Sequence, residues 1–296
     1  MHGKETTDKA PEPLSGSALN DYYKDCSAAL TQSLIDAVSA SRETEGLPGG
    51  DGARRFWASV LFARICGFGF AMHRLIPGTP ANVQGTIYDF GSVGTICRSL
   101  FEAYVTFIYL CDASLEVDEY SLRLLGMQLH DCTRRPNILS KITGDEPDSR
   151  FVEQAAALKE GIKKNPAFAA KEPRQQQKLL KGESAFYLSQ DEIVAGNRDE
   201  SSQNRGVYEF LSSQTHSFPF SFIRAHLHTD RGTGRENDVD KKYLAIAAEI
   251  AAPILQDATG HMARLFPEVG EFRRYSVNWD TAVCTRVPED GFNIKM

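Results

Sequence analysis

The sequence is poor in the patterns that name a chemistry. None of H-E-x-x-H, G-x-x-x-x-G-K, G-x-S-x-G or G-x-G-x-x-G occurs among its 296 residues, so the familiar signatures of zinc proteases, P-loop nucleotide binding, α/β-hydrolases and dinucleotide binding are missing. None of the seven histidines has a glutamate three residues before it, which removes the Glu-x-x-His pair of a di-iron bundle. The six cysteines form no C-x-x-C pair and no zinc-ligand spacing, and Cys66, Cys97 and Cys111 lie in apolar runs. They read as reduced core thiols, and with no charged-then-apolar signal at the N-terminus they point to the cytosol. No cofactor is implied. Excess positive charge is missing too: 33 Lys and Arg against 39 Asp and Glu give a net charge of -6, which argues against a broad phosphate-binding surface but leaves room for a local basic cluster. No run alternates apolar and polar residues between turn signals, so no strand is expected, and no internal repeat is present.

What is there is helical periodicity. Between Asp89 and Asp112 runs a stretch apolar on nearly every side, from Ile96 through Phe101, Val105 and Phe107 to Leu110, with Arg98 and Glu102 as its only charges. Four residues apart, those two share a helix face, and a helix apolar all round is a buried one, so the pair is expected to meet inside the core. This stretch and Phe56 to Ile76 have the apolarity of membrane spans. A mid-helix charge costs roughly 2.5 to 3.5 kcal/mol on insertion scales, however, so both read as core helices and no membrane is expected.

Other helices follow from spacings of three and four: Ser17 to about Arg42, Ala53 to about Leu75 with Asp51 as cap, Leu115 to about Arg135 limited by Pro136, and Phe151 to Lys164 capped by Asp148 or Ser149. Ser201 to His216 and Val239 to Phe266 complete the set, the last bent at Pro253. Ser189-Gln-Asp-Glu192 fits a capping box. The expectation is an all-α, bundle-like single domain over residues 17–266, with a disordered leader over 1–16 and an irregular tail over 267–296. Residues 163–198, basic, glutamine-rich and interrupted by Pro166 and Pro173, read as an irregular insertion exposed to solvent: either a solvated linker or a basic arm for RNA or a protein partner.

Two places could carry chemistry. Tyr208, Ser212 and His216 form one polar stripe at helical spacing. If that stripe meets Arg98 and Glu102, it either satisfies a buried polar network and fixes helix register, or it makes an active site with His216 as general acid or base and Arg98 stabilising an anion, a pairing suited to phosphodiester cleavage. A carboxylate and a guanidinium cannot both be satisfied by one partner out of water, which is why His216, Tyr208 and the pair are expected within hydrogen-bonding distance, directly or through one water. In Arg224-Ala-His226-Leu-His228, with Arg224 a further candidate for binding, the histidines would share a face on a strand and could hold a metal; read as helix, they point apart and no metal site is expected.

The segments CRSLFEAYVTFIYL and, about a hundred residues on, YEFLSSQTHSFP resemble a family of bacterial proteins whose domain has no assigned function. That family shows an Arg-x-x-x-Glu on an apolar helix and a later Tyr-x-x-x-Ser-x-x-x-His. Such proteins are distantly similar to the HEPN group of toxin and defence ribonucleases, which place a His four to six residues after an Arg on one helix. Here no His follows Arg98 until His130, and the first after Arg205 is His216. The resemblance therefore implies a bacterial, cytoplasmic helical protein that is a binding or interaction module, partnered by a second copy, another protein or RNA. The alternative it leaves is a metal-independent, nuclease-like toxin or defence protein using Arg98, Glu102 and His216.

Overall fold

A computed structural model describes residues 15–47, 53–194, 201–216, 218–223, 233–273, 275–279 and 283–286. The architecture is an all-α bundle. Its helices are α1 (Gly16–Glu43), α2 (Ala53–Leu75), α3 (Phe90–Cys111), α4 (Val117–Thr143), α5 (Arg150–Lys164), α6 (Pro166–Ala169), α7 (Pro173–Lys181), α8 (Gln190–Val194), α9 (Ser201–Thr215), α10 (Pro219–Phe222) and α11 (Asp238–Leu265). A 3-10 turn at Pro267–Val269 leads to an antiparallel hairpin of β1 (Tyr275–Asn278) and β2 (Val283–Arg286), with Tyr275 opposite Arg286.

The apolarity of α3 has its structural outcome in contact on several sides. Val93, Cys97, Leu100, Val105, Phe107 and Tyr109 are fully buried, and α2, α11, α9, α8 and α4 all pack against it. Asp89 starts the helix by accepting the Ser92 amide at 3.1 Å. At one edge of this core α1 lies along α11, and three polar pairs stitch them: Tyr22 to Glu249, Asn20 to Lys241, and Ser33 to Gln256. Where α2 approaches the same pair, Gly69 permits the fit, since a β-carbon there would stand 2.9 Å from Leu34 Cδ1 and 3.4 Å from Leu255. The α2 and α3 helices are long and apolar enough to cross a membrane by length and composition.

Several expectations change. The hairpin stands where no strand and an irregular tail were expected; four-residue strands are too short for a two-residue period to be told from chance. Pro136 does not end α4, which continues to Thr143 and stops at Gly144 with φ +79°. A proline deprives the helix of one N–H, and here its ring is buried, so the chain keeps winding through NILSKIT. Of the segment 163–198, the described part, 163–194, is docked rather than solvated. Leu179 of α7 is buried against α4 at Gly126, Tyr187 and Ile193 are buried, and Lys171 pairs with Glu119 of α4 at 2.7 Å. Of its short helices, α7 and α8 each bury a single apolar residue and α6 none, too few to register as a periodic face. The capping box at Ser189 and Glu192 is formed in both directions, at 2.6 and 3.2 Å, and Asp148, not Ser149, accepts the first amide of α5. Residues 1–14, Asp51, Arg224, His226 and His228 lie outside the described residues.

Candidate functional site

The α3 pair meets Tyr208 and Ser212 of the α9 stripe. Arg98 is ion-paired with Glu102, its Nε donates to Ser212 Oγ at 3.1 Å, and its guanidinium carbon sits 3.9 Å above the Tyr208 ring. Tyr208 thus contributes its face, not its hydroxyl, and its edge rests on Phe101. Glu102 takes a further bond from Gln190 Nε2 at 3.0 Å, so three residues of α3 and α9 surround one guanidinium and α8 is tied to it through Glu102. The burial is uneven: the Arg98 side chain is 11% exposed, whereas Glu102 is 40% exposed. One nitrogen, Arg98 Nη1, is buried with no hydrogen-bond partner among the described residues.

His216 is not part of this network. One turn of helix, about 5.4 Å, separates it from Ser212, and that rise carries it past the end of α9 to the surface. Its amide bonds the Ser212 carbonyl at 3.1 Å and its ring lies near Phe218; among the described residues no hydrogen bond or ion pair joins it to Arg98 or Glu102. The expected direct bond of His216 to the Arg98–Glu102 pair is therefore corrected. The stripe turns slowly, as expected, but over two turns it leaves the face it began on.

A different place has the form of a site. Between α1 and the loop joining α2 to α3 lies a cleft of ≈ 680 Å³. On its α1 wall Tyr23, Ser27 and Thr31 recur every four residues and share one face, with Lys24 and Gln32 beside them. The opposite wall is Pro77, Pro80, Val83 and Tyr88, and Glu236 with Lys241 closes one end. The loop wall is fixed by its own hydrogen bonds: Gly78 N to Asn82 O at 3.0 Å, Thr79 Oγ1 to Ile76 O at 3.0 Å, and the Tyr88 amide to Gly234 O at 2.9 Å. Tyr23 clamps it to α1, its hydroxyl donating to Pro77 O at 2.6 Å. Burial pushes that phenol's pKa well up.

Below the cleft floor sits His73, fully buried. Thr31 Oγ1 lies 2.8 Å from the Ser27 carbonyl and 3.0 Å from His73 Nε2. Nδ1 is left buried and without a partner, and desolvation brings the pKa down to about 4. Trp279, following β1, stacks on the ring at 4.1 Å.

The distinguishing feature of the cleft is Ser27. It is 8% exposed, lines the cleft, and its Oγ has no hydrogen-bond partner among the described residues. A second cavity, of ≈ 690 Å³ between α4 and α5, has no buried unpartnered polar atom in its lining among the described residues: its walls are Trp57, Leu110, Leu124 and other apolar side chains, and on its polar rim Arg135 pairs with Asp131 and Cys132 with Gln154. Sequence reasoning missed the cleft. The signal available was a set of small polar residues, Ser27 and Thr31, at the edge of the α1 apolar stripe, and nothing in the sequence tells which loop faces them. Among the described residues no cluster of three or more His, Cys, Asp or Glu is placed to hold a metal ion. No family model matches the chain, and neither a curated protein nor a solved structure matches it.

Proposed function

We propose that this chain is a binding module that seats a small organic molecule in the α1 cleft. The observation that carries the reading is the cleft itself, ≈ 680 Å³ between α1 and the loop after α2, its walls held by the Tyr23–Pro77, Gly78–Asn82 and Tyr88–Gly234 bonds. Ser27, on the α1 wall, has a buried hydroxyl without a partner among the described residues, which costs about 1–3 kcal/mol. The size and the mixture of apolar walls with a few polar groups suit a small-molecule site. On this reading the Arg98 network, which gathers the Arg-x-x-x-Glu and Tyr-x-x-x-Ser of the family resemblance, is a lock holding α8 and α9 on α3. The nuclease alternative draws less support, because it needs Arg98 and His216 at one phosphate, and Arg98 is committed to Glu102, Ser212 and Tyr208 while His216 stands apart.

The test is a fragment panel of neutral and charged molecules scored by ligand-observed NMR on wild type and on Ala28→Trp, which fills the cleft from its exposed lip. Binders are expected that bind wild type and fail to bind Ala28→Trp. A panel without binders, or one binding both proteins equally, removes the reading.

A further inference from the structure

Helix α2 carries more apolar surface than the core uses. Of its most apolar 18 residues only 39% are buried, against 56% for α3. Phe62, Ile65, Gly69 and Met72 are buried where α2 packs on α3, α1 and α11. A second run, Ala53, Phe56, Val60, Ala63, Gly67 and Phe70, recurs at alternating spacings of three and four, which is the seam of a coiled coil. This seam lies on the side of the helix opposite the core. Ala53, Ala63 and Gly67 are exposed, Phe56 is 57% and Val60 45% exposed, and Phe70 is half-buried beside Trp279.

Gly67 is a second, independent observation. Glycine weakens the interior of a helix, and nothing in the single chain asks for one here, since a β-carbon would meet no atom within 4 Å. Gly69, two residues on, is by contrast required by Leu34 and Leu255. A bare spot on an exposed seam admits a large side chain from outside, and the seam itself supplies one. When two copies of α2 run antiparallel about a two-fold axis between Leu61 and Phe62, Phe56 of each faces Gly67 of the other, Val60 faces Ala63 and Phe70 faces Ala53, so every large residue meets a small one. A parallel pair would set Phe56 against Phe56 and Gly67 against Gly67. A bilayer is the other apolar medium for such a face, but Ala63 and Gly67 offer it little area and Arg64 stands exposed beside them. We infer that the exposed face of α2 is the interface of an antiparallel dimer of this chain, with Phe56 of each copy seated at Gly67 of the other. It stands apart from the cleft, whose walls are α1 and the loop after α2. From Ala53 to Phe70 the seam spans about 26 Å, and a helix is about 10 Å wide, so the footprint falls short of the roughly 800 Å² per partner of a standard interface; the dimer is weak, with a Kd on the order of 10 μM.

Sedimentation equilibrium of the full chain from about 1 to 200 μM brackets that affinity. Wild type should pass reversibly from monomer to dimer. Val60→Glu should stay monomeric throughout, with its melting temperature at the lowest concentration unchanged, because Val60 points away from the core. Gly67→Phe fills the seat and should weaken the dimer at least about tenfold without harming the monomer, where the position is open. Phe56→Ala combined with Gly67→Phe exchanges the large and small positions, and this double variant should return to within about threefold of the wild-type affinity, a rescue that unspecific stickiness does not produce. Wild type that is monomeric across the range overturns the inference, as does a dimer that survives both single substitutions or dissolves instead with Ile142→Glu at the exposed apolar end of α4. A double variant no tighter than Gly67→Phe overturns the antiparallel register and the seat with it. Wild type that stays monomeric but binds vesicles of phosphatidylcholine and phosphatidylglycerol, with binding lost in Val60→Glu, assigns the face to a membrane and overturns the dimer.

Discussion

At the scale of the residue, the chain's chemistry depends on which polar atoms are already committed. Arg98 shows the committed case. Glu102→Ala would leave a buried guanidinium with Ser212 and an aromatic face but no counter-charge. Breaking a fully buried pair costs about 3 to 5 kcal/mol, but water reaches Glu102, so a loss of about 2 kcal/mol in denaturant unfolding is expected. Glu102→Gln, which keeps an acceptor, should lose less. The identities of Arg98, Glu102, Tyr208 and Ser212 as one network were legible in the sequence, since charges on an apolar helix require partners and α9 has a polar stripe. Their geometry was not. Spacing says that Tyr208 faces Arg98; it does not say that the ring rather than the hydroxyl will make the contact, nor that His216 overshoots. Ser27 was illegible for the opposite reason, because a serine on a half-buried helix edge looks like any other solvated residue until the loop that covers it is known.

At the scale of the element, helix boundaries follow local rules and packing decides the exceptions. Asp89→Ala removes the acceptor for the Ser92 amide and should destabilise the protein by about 1 kcal/mol in thermal or denaturant melts. Gly69→Ala sets two effects against each other. Alanine gains about 1 kcal/mol of helix propensity, but its methyl would meet Leu34 and Leu255, both fully buried and without room to yield, and overpacking costs about 1 to 3 kcal/mol. A net loss of about 1 kcal/mol is expected, and a stabilised Gly69→Ala would mean that α2 can slide. The long helices were readable because their apolar residues repeat over many turns. The segment 163–194 was misread because α6, α7 and α8 are short, and Leu179 and Ile193 gain their meaning only from Gly126 and the core they reach.

At the scale of the whole molecule, His73 couples stability to pH. It stands under the cleft and against the hairpin, and burial lowers its pKa from its ordinary 6.5 to about 4. The unfolded chain then takes up a proton at a pH where the folded protein refuses it, so the stabilising contribution is complete above about pH 6.5 and is lost as pH falls toward 4. Unfolding measured at pH 7.5 and at pH 5 should show wild type losing more stability than His73→Phe, which keeps an aromatic face for Trp279 but cannot titrate. Equal losses would mean that the ring is protonated or solvated in the folded state. The bundle class itself was legible from periodicity and from the lack of alternating runs; the packing of the hairpin and the loop after α2 onto it was not, because each is settled by partners more than two hundred residues away or by backbone bonds that no side-chain pattern records.

The pairing of α1 with α11 also governs how the protein is made. Tyr22 and Glu249 are 227 residues apart, so at roughly 5–20 residues per second the first helix leaves the ribosome on the order of ten seconds or more before its cover is translated. Through that interval the stripe of Leu19, Leu30 and Leu34, fully buried in the finished fold, stands open to solvent and to neighbouring nascent chains. Chains halted before Asp238 should therefore aggregate, and slow codons late in the message should lower the soluble yield more than slow codons early in it.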